Sequence, residues 1–315
     1  MPTSVDSMKL LETIPINLYV IGGPILLFIG TISCICNLII FTRNNLRKNS
    51  CSICLIAFNL SSLLLLYFSF LPAILQIGYN IDPGSYNLIY CRIRYYLGFL
   101  FACLPSFYLI LASIDRTLIT SSNVRIRQWS NTHFIYKCLL FLTLFWTLFH
   151  IHALLYTNII QIEPNHFVCY FNPGLYSILV SYYSLIVNGM IPPILLTIFG
   201  LLTMRNIHHS RSRISPSLVK TNSNIIHRKN QQLIRMLSTE ILICIMINFI
   251  HPSVLLYEQI TQNKIQDYNH TIINQFLISI STFILHIPYC LSFYTNLIVS
   301  KTFRTEVKHF IHKYY

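Results

Sequence analysis

Two charged side chains stand next to each other at the end of a long apolar run, in Ala112-Ser113-Ile114-Asp115-Arg116-Thr117. An acid beside an arginine can form an ion pair, and the guanidinium can instead turn its N–H donors to the backbone carbonyls of another molecule. The chemistry on offer is reversible pairing, not bond making. A second acid, Glu240, lies inside another apolar stretch and needs a polar partner there, with Asn37 and Asn296 as candidates. Of the ten cysteines, Cys91 and Cys169 lie at the ends of apolar segments; the others fall within them and read as small hydrophobes. Cys51-x-x-Cys54 has metal-ligand spacing, but no histidine or second cysteine pair is near it in sequence, so no metal site is expected. No paired nucleophile and base can be picked out, so no catalytic residue, enzymatic activity or cofactor is expected.

The elements that must position these residues are long and apolar. The chain has 315 residues, 54% of them hydrophobic and 10% charged, with mean hydropathy +0.58. A soluble domain carries about 25% charged residues. This composition predicts a membrane protein, and the length of its apolar runs an all-α one. The net charge of +13 fits loops facing an anionic leaflet, and nucleic acid is not expected as a partner because no soluble module is visible to carry it.

Seven segments are long enough to cross a hydrocarbon core of about 30 Å. They cover about 16–41, 52–77, 91–119, 133–157, 174–204, 233–260 and 271–299, within a single domain over 1–315. Cys91 and Arg116 are 25 positions apart, roughly 37 Å of helix, so one helix can carry them on opposite sides of a bilayer. Pro72, the adjacent Pro192 and Pro193, and Pro252 predict kinks. Residues 158–173 read as a polar connection. Phe303, Val307 and Phe310 recur at spacing three to four, which predicts an amphipathic helix over about 301–312.

Orientation follows from the basic residues. About 16 of the 22 Lys and Arg fall in the first, third and fifth connections and the tail, which places those on the cytoplasmic side and the N-terminus outside, in a multi-pass plasma-membrane protein. Cys91 and Cys169 are then extracellular and Asp115-Arg116 cytoplasmic. Asn269-His270-Thr271 is an N-glycosylation sequon on the outer side.

Seven spans in this orientation, with these residues punctuating them, resemble the rhodopsin-like (class A) G-protein-coupled receptors over about Ile16 to Phe310. Asp115-Arg116-Thr117 is similar to the family's Asp-Arg-Tyr signature, and Cys91 stands at the family's spacing before it. Cys169 stands where the second extracellular loop supplies that cysteine's disulfide partner. Asn37 matches the asparagine of the first helix, Trp146 the tryptophan of the fourth, Pro192 or Pro193 the proline of the fifth and Pro252 that of the sixth. There are departures. Asn59 replaces the second-helix aspartate that helps to bind sodium, Ile250 the sixth-helix tryptophan, and Gly200 or Leu201 the fifth-helix tyrosine. The seventh-helix motif survives only as Ser292-Phe293-Tyr294-Thr295-Asn296, and Gln231-Gln232-Leu233 lacks the acid of a second cytoplasmic lock. In this the chain resembles divergent invertebrate orphan receptors.

The resemblance implies a ligand-driven activator of a heterotrimeric G protein, with Arg116 held by Asp115 when the bundle is closed and turned toward the G protein when it opens. It implies a pocket among the outer halves of the third, fifth, sixth and seventh helices, drawing on Arg94, Tyr95, Gly98, Phe99, Tyr257, Glu258 and His286. Gly98 stands where amine receptors carry an aspartate, and His286 where opsins carry the retinal lysine, so neither ligand class is expected. A peptide ligand is favoured, with Arg94 and Glu258 suited to its charged ends; a small chemosensory molecule is the alternative. A seven-helix transporter or channel is the rival from another class, and would need more ionisable residues inside the spans than Glu240 and a few Asn and His.

Overall fold

The computed structural model describes residues 4–47, 49–163, 166–172, 174–213, 222–261 and 268–314. Lys48, Lys220 and Lys264, which enter the charge count, lie outside them. Seven helices in the described residues are long and apolar enough to cross a membrane: Met8–Phe41, Ser50–Gly78, Leu88–Thr120, Thr132–Tyr156, Leu175–His208, Ile234–Thr261 and His270–Val299. Large apolar side chains cover their outward faces, among them Phe28, Phe141, Leu201, Met246 and Ile298, all well exposed. An apolar surface of that extent needs lipid around it. The protein is a multi-pass helical membrane bundle.

The third span is the most enclosed of the seven and touches the second, fourth, fifth and sixth. Leu100, Leu104, Leu109 and Ala112 on it belong to a core shared with Phe58, Trp146, Leu196, Leu237 and Tyr289 of other spans. Asparagine starts several helices by accepting an orphan backbone N–H: Asn49 from Cys51, Asn87 from Ile89 and Tyr90, Asn123 from Arg125 and Asn131 from His133.

Each expected kink has a local form. Around Pro72 the second span opens into wide π-turns at Leu66–Phe70 and Ile74–Gly78. A π-turn at Ser184–Met190 precedes Pro192 and Pro193. A proline removes an N–H, and the wider turn lets the stranded carbonyl find another donor. At Pro252 the sixth span breaks between helices that end at Asn248 and begin at Ile250. A Cβ at Gly189 would stand 3.0 Å from Pro252 Cβ, so any larger residue would require the fifth span or the break to shift by a few tenths of an ångström.

Several expected boundaries move. The first helix begins at Ser4, well before residue 16, and its early turns pack on the seventh span. The fifth helix runs on to Arg213 and the sixth begins at Asn222, so much of the polar stretch between them is helical extension. Residues 158–173 are not a plain loop: β1 (Thr157–Glu163) and β2 (His166–Phe171) form an antiparallel hairpin with Ile159 opposite Cys169. After the seventh span a further helix covers Lys301–Tyr314, and Phe303, Val307 and Phe310 pack against the core. Asn269 falls in the first turn of the helix Tyr268–Val299.

Candidate functional site

At one end of the bundle, Arg116 donates to Asp115 at 2.6 Å with both side chains fully buried. Although these charges stand at the end of an apolar run, tertiary packing seals them from water. The same Nη2 reaches Asn49 Oδ1 at 2.7 Å, so one asparagine both caps the second span and holds the arginine. Ser130, from the connection after the third span, donates to the other carboxylate oxygen of Asp115. Nε and Nη1 of Arg116 have no hydrogen-bond partner among the described residues. Thr117 ties the third span to the fifth, through Thr203 at 2.9 Å and the Phe199 carbonyl at 3.1 Å.

Above this pair lies a polar network that the sequence only half disclosed. Asn37 donates to Asn59 at 2.8 Å and to Ser292 at 3.0 Å; Ser292 donates to Glu240 at 2.6 Å, and Thr295 donates to the same oxygen at 3.3 Å. Glu240 therefore reaches Asn37 only through Ser292, and its direct partners are hydroxyls of the seventh span. Four spans are linked inside an apolar bundle, where each such bond is hard to replace. The second oxygen of Glu240 and Oδ1 of Asn37 have no partner among the described residues. Asn296 is buried on the seventh span nearby in sequence.

At the opposite end, Cys91 and Cys169 form a disulfide, with Cα atoms 5.7 Å apart. It ties β2 to the start of the third span. Arg94 does not face an open pocket. Its guanidinium pairs with Asp82 at 3.1 Å and donates to Gln76 at 2.7 Å, so its charge is taken up by the turn after the second span. The Tyr95 hydroxyl donates to the Cys169 carbonyl at 3.2 Å, and its ring meets Phe171 edge-on at 4.7 Å. Phe99 stacks on Phe171 at 5.5 Å and on His150 at 6.0 Å. Gly98 lies on the same helix face, with open space where a side chain would be.

His286 is also displaced from its expected role. It is fully buried, bonded to the Thr282 carbonyl at 2.7 Å and Ser69 at 3.3 Å, and stacked on Phe70 at 4.7 Å. It joins the seventh span to the second and lines no accessible surface. Tyr257 is exposed, beside the His270 ring at 6.3 Å. Glu258 is half-buried and its carboxylate has no partner among the described residues.

Sequence reasoning also missed a cluster between the third, fourth and fifth spans. His150 lies 2.8 Å from the Trp146 carbonyl and 2.7 Å from the Tyr183 hydroxyl, and Tyr183 lies 3.3 Å from the Cys103 thiol. A carbonyl so close to Nδ1 requires a proton there, so Nε2 is the acceptor and Tyr183 donates to it. The helical spacing of Trp146, Phe149 and His150 in the fourth span was the available signal. The chain matches no family model and no curated protein.

Proposed function

We propose that the protein is a rhodopsin-like G-protein-coupled receptor that converts binding of an extracellular ligand, a peptide by preference, into activation of a heterotrimeric G protein. The supporting observation is Arg116: a guanidinium sealed in one end of a seven-span bundle, held through a single nitrogen, with its two other nitrogens without a hydrogen-bond partner among the described residues. Such a group gains hydrogen bonds if the bundle opens and a partner supplies carbonyls. The basic connections cluster at that end, which supports a cytoplasmic position for it, in a plasma-membrane protein with its N-terminus and disulfide outside. The Lys301–Tyr314 helix then lies along the inner membrane surface with Phe303 and Phe310 turned to the bundle.

The mechanism is a population shift. In the closed state Glu240 holds the sixth span to the seventh through Ser292 and Thr295, in place of an acid lock at Gln232. A ligand that favours separation of those spans breaks these bonds and frees the Arg116 end. The break at Pro252 is the hinge.

The experiment is guanine-nucleotide exchange on G proteins in membranes carrying the full chain, against a peptide and metabolite library, with Arg116→Ala as control. Ligand-driven exchange that the substitution abolishes is the expected result. Exchange that survives it unchanged, or solute uptake that needs no G protein, overturns the reading.

A further inference from the structure

The connection that follows the third span reads Ser121-Ser122-Asn123-Val124-Arg125-Ile126-Arg127-Gln128-Trp129-Ser130. Arg127 stands three positions before Ser130, and Arg125 five positions before it. Only Val124–Gln128 is helical, a single short element that Asn123 starts by accepting the Arg125 N–H. Arg125, Arg127 and Trp129 are exposed, and neither guanidinium is bonded to a partner among the described residues.

Ser130 itself is half-buried, and its hydroxyl donates to Oδ1 of Asp115. The other oxygen of that carboxylate receives Arg116 Nη2 at 2.6 Å. Ser130 and Arg116 are therefore separated by the width of one carboxylate. Nε and Nη1 of Arg116, both buried, have no hydrogen-bond partner among the described residues. A serine preceded by two free arginines thus ends against an ion pair whose cation has nitrogens to spare.

We propose that Ser130 is a phosphorylation site for an arginine-directed serine kinase, and that its phosphate takes Arg116 from Asp115 and withholds it from the G protein. The consequence for signalling rests on the receptor reading; the chemistry at Ser130 does not. An acidic substrate groove pairs with arginines at these two positions, and a one-turn exposed segment is drawn out at small cost. The γ-phosphoryl group of ATP passes to Ser130 Oγ as its bond to the β-phosphate breaks. ADP leaves, and the hydroxyl proton goes to the catalytic aspartate of the kinase. The product has lost the donor that Asp115 accepted and carries a charge of about −1.5 to −2. Two anions then oppose each other where a hydrogen bond stood. The guanidinium is the one cation at hand, and its two bare nitrogens suit the paired contacts that arginine makes to phosphate. A phosphate held there occupies the donors that coupling needs.

The test uses the purified full chain in lipid nanodiscs, with ATP and the catalytic domain of an arginine-directed serine kinase; an acid-directed kinase is the control. Mass spectrometry is expected to find phosphate on Ser130 with the first kinase only, and Arg125→Gln with Arg127→Gln should slow its incorporation at least about tenfold. The phosphorus resonance is then titrated with pH and compared with that of the phosphopeptide Val124–Asn131, which carries the same two arginines but not Arg116. The peptide should ionise a second time near about pH 6. The phosphate in the protein should do so about one pH unit lower, because an adjacent guanidinium favours the dianion. Arg116→Gln should return it toward the peptide, although the comparison of native chain with peptide needs no variant to fold. No phosphate at Ser130, incorporation indifferent to the two arginines, or a phosphate that titrates like the peptide overturns the proposal. Ligand-driven exchange that phosphorylation leaves unchanged sinks the consequence for signalling. Both phosphate signatures without exchange from either form would sink the receptor reading alone.

Discussion

Among the described residues there are two Arg–Asp pairs, one at each end, and they differ in length, burial and surroundings. Arg116–Asp115 is 2.6 Å long with both side chains at 0% exposure; Arg94–Asp82 is 3.1 Å long with both at 15%. The buried pair is under-satisfied, since Arg116 keeps two nitrogens without partners among the described residues. The more exposed pair is complemented by Gln76. A charge taken fully out of water costs a great deal unless paired, so the Asp115–Arg116 contact is costly to disturb and able to do something when disturbed. The outer pair fastens a turn to a helix.

Single and double substitutions test that contrast. Asp115→Ala leaves the Arg116 charge buried and uncompensated, and should cost about 3–5 kcal/mol. The double replacement Asp115→Leu with Arg116→Met should cost much less than Asp115→Ala alone. Thermal unfolding in detergent checks both, and a double variant no more stable than the single would mean that the pair itself holds the bundle together. Cys91→Ser opens a loop of 78 residues, worth at most about 4.5 kcal/mol by chain entropy. The measured loss should be smaller, because spans inserted in a bilayer already confine the chain. A fall in Tm as large as that of Asp115→Ala would contradict this.

Ser292→Ala removes a donor from buried Glu240 and the acceptor of Asn37, at a cost of about 1–3 kcal/mol. It should also raise nucleotide exchange without ligand, because it loosens the sixth span from the seventh. Unchanged basal exchange with lowered stability would leave the network a structural role only. The smallest effect is expected at the outer pair: Arg94→Gln should change stability by about 0–1 kcal/mol. A loss of several kcal/mol there would erase the distinction between the two ends.

Much of the architecture was legible before any coordinates. Seven apolar runs of spanning length, the positions of Pro72 and Pro252, and the side-by-side Asp115 and Arg116 are local properties of sequence. The site was only partly legible. Arg94 and Asp82 are separated by a turn and a helix start, and nothing local says that they meet, so Arg94 read as available to a ligand. His286 read as pocket-lining because its position along the seventh span was known but its rotation about the helix axis was not. The hairpin was hidden because two short strands carry little periodic signal until Cys169 is tied to Cys91 and the second strand is brought beside the first.

By itself, then, the sequence determined that the chain is a seven-span membrane protein, because hydropathy over about 20 residues is decided by transfer from water to lipid and not by neighbours. Only the tertiary structure decided which polar groups inside that bundle are satisfied. Asp115 and Arg116 became a sealed pair through Asn49 and Ser130, and Glu240 found Ser292 and Thr295. Glu258 was left without a counter-ion among the described residues. Hydrogen bonds and ion pairs act over about 3 Å, here between residues as far apart in sequence as Asn37 and Ser292, and that distance is set by how the helices pack.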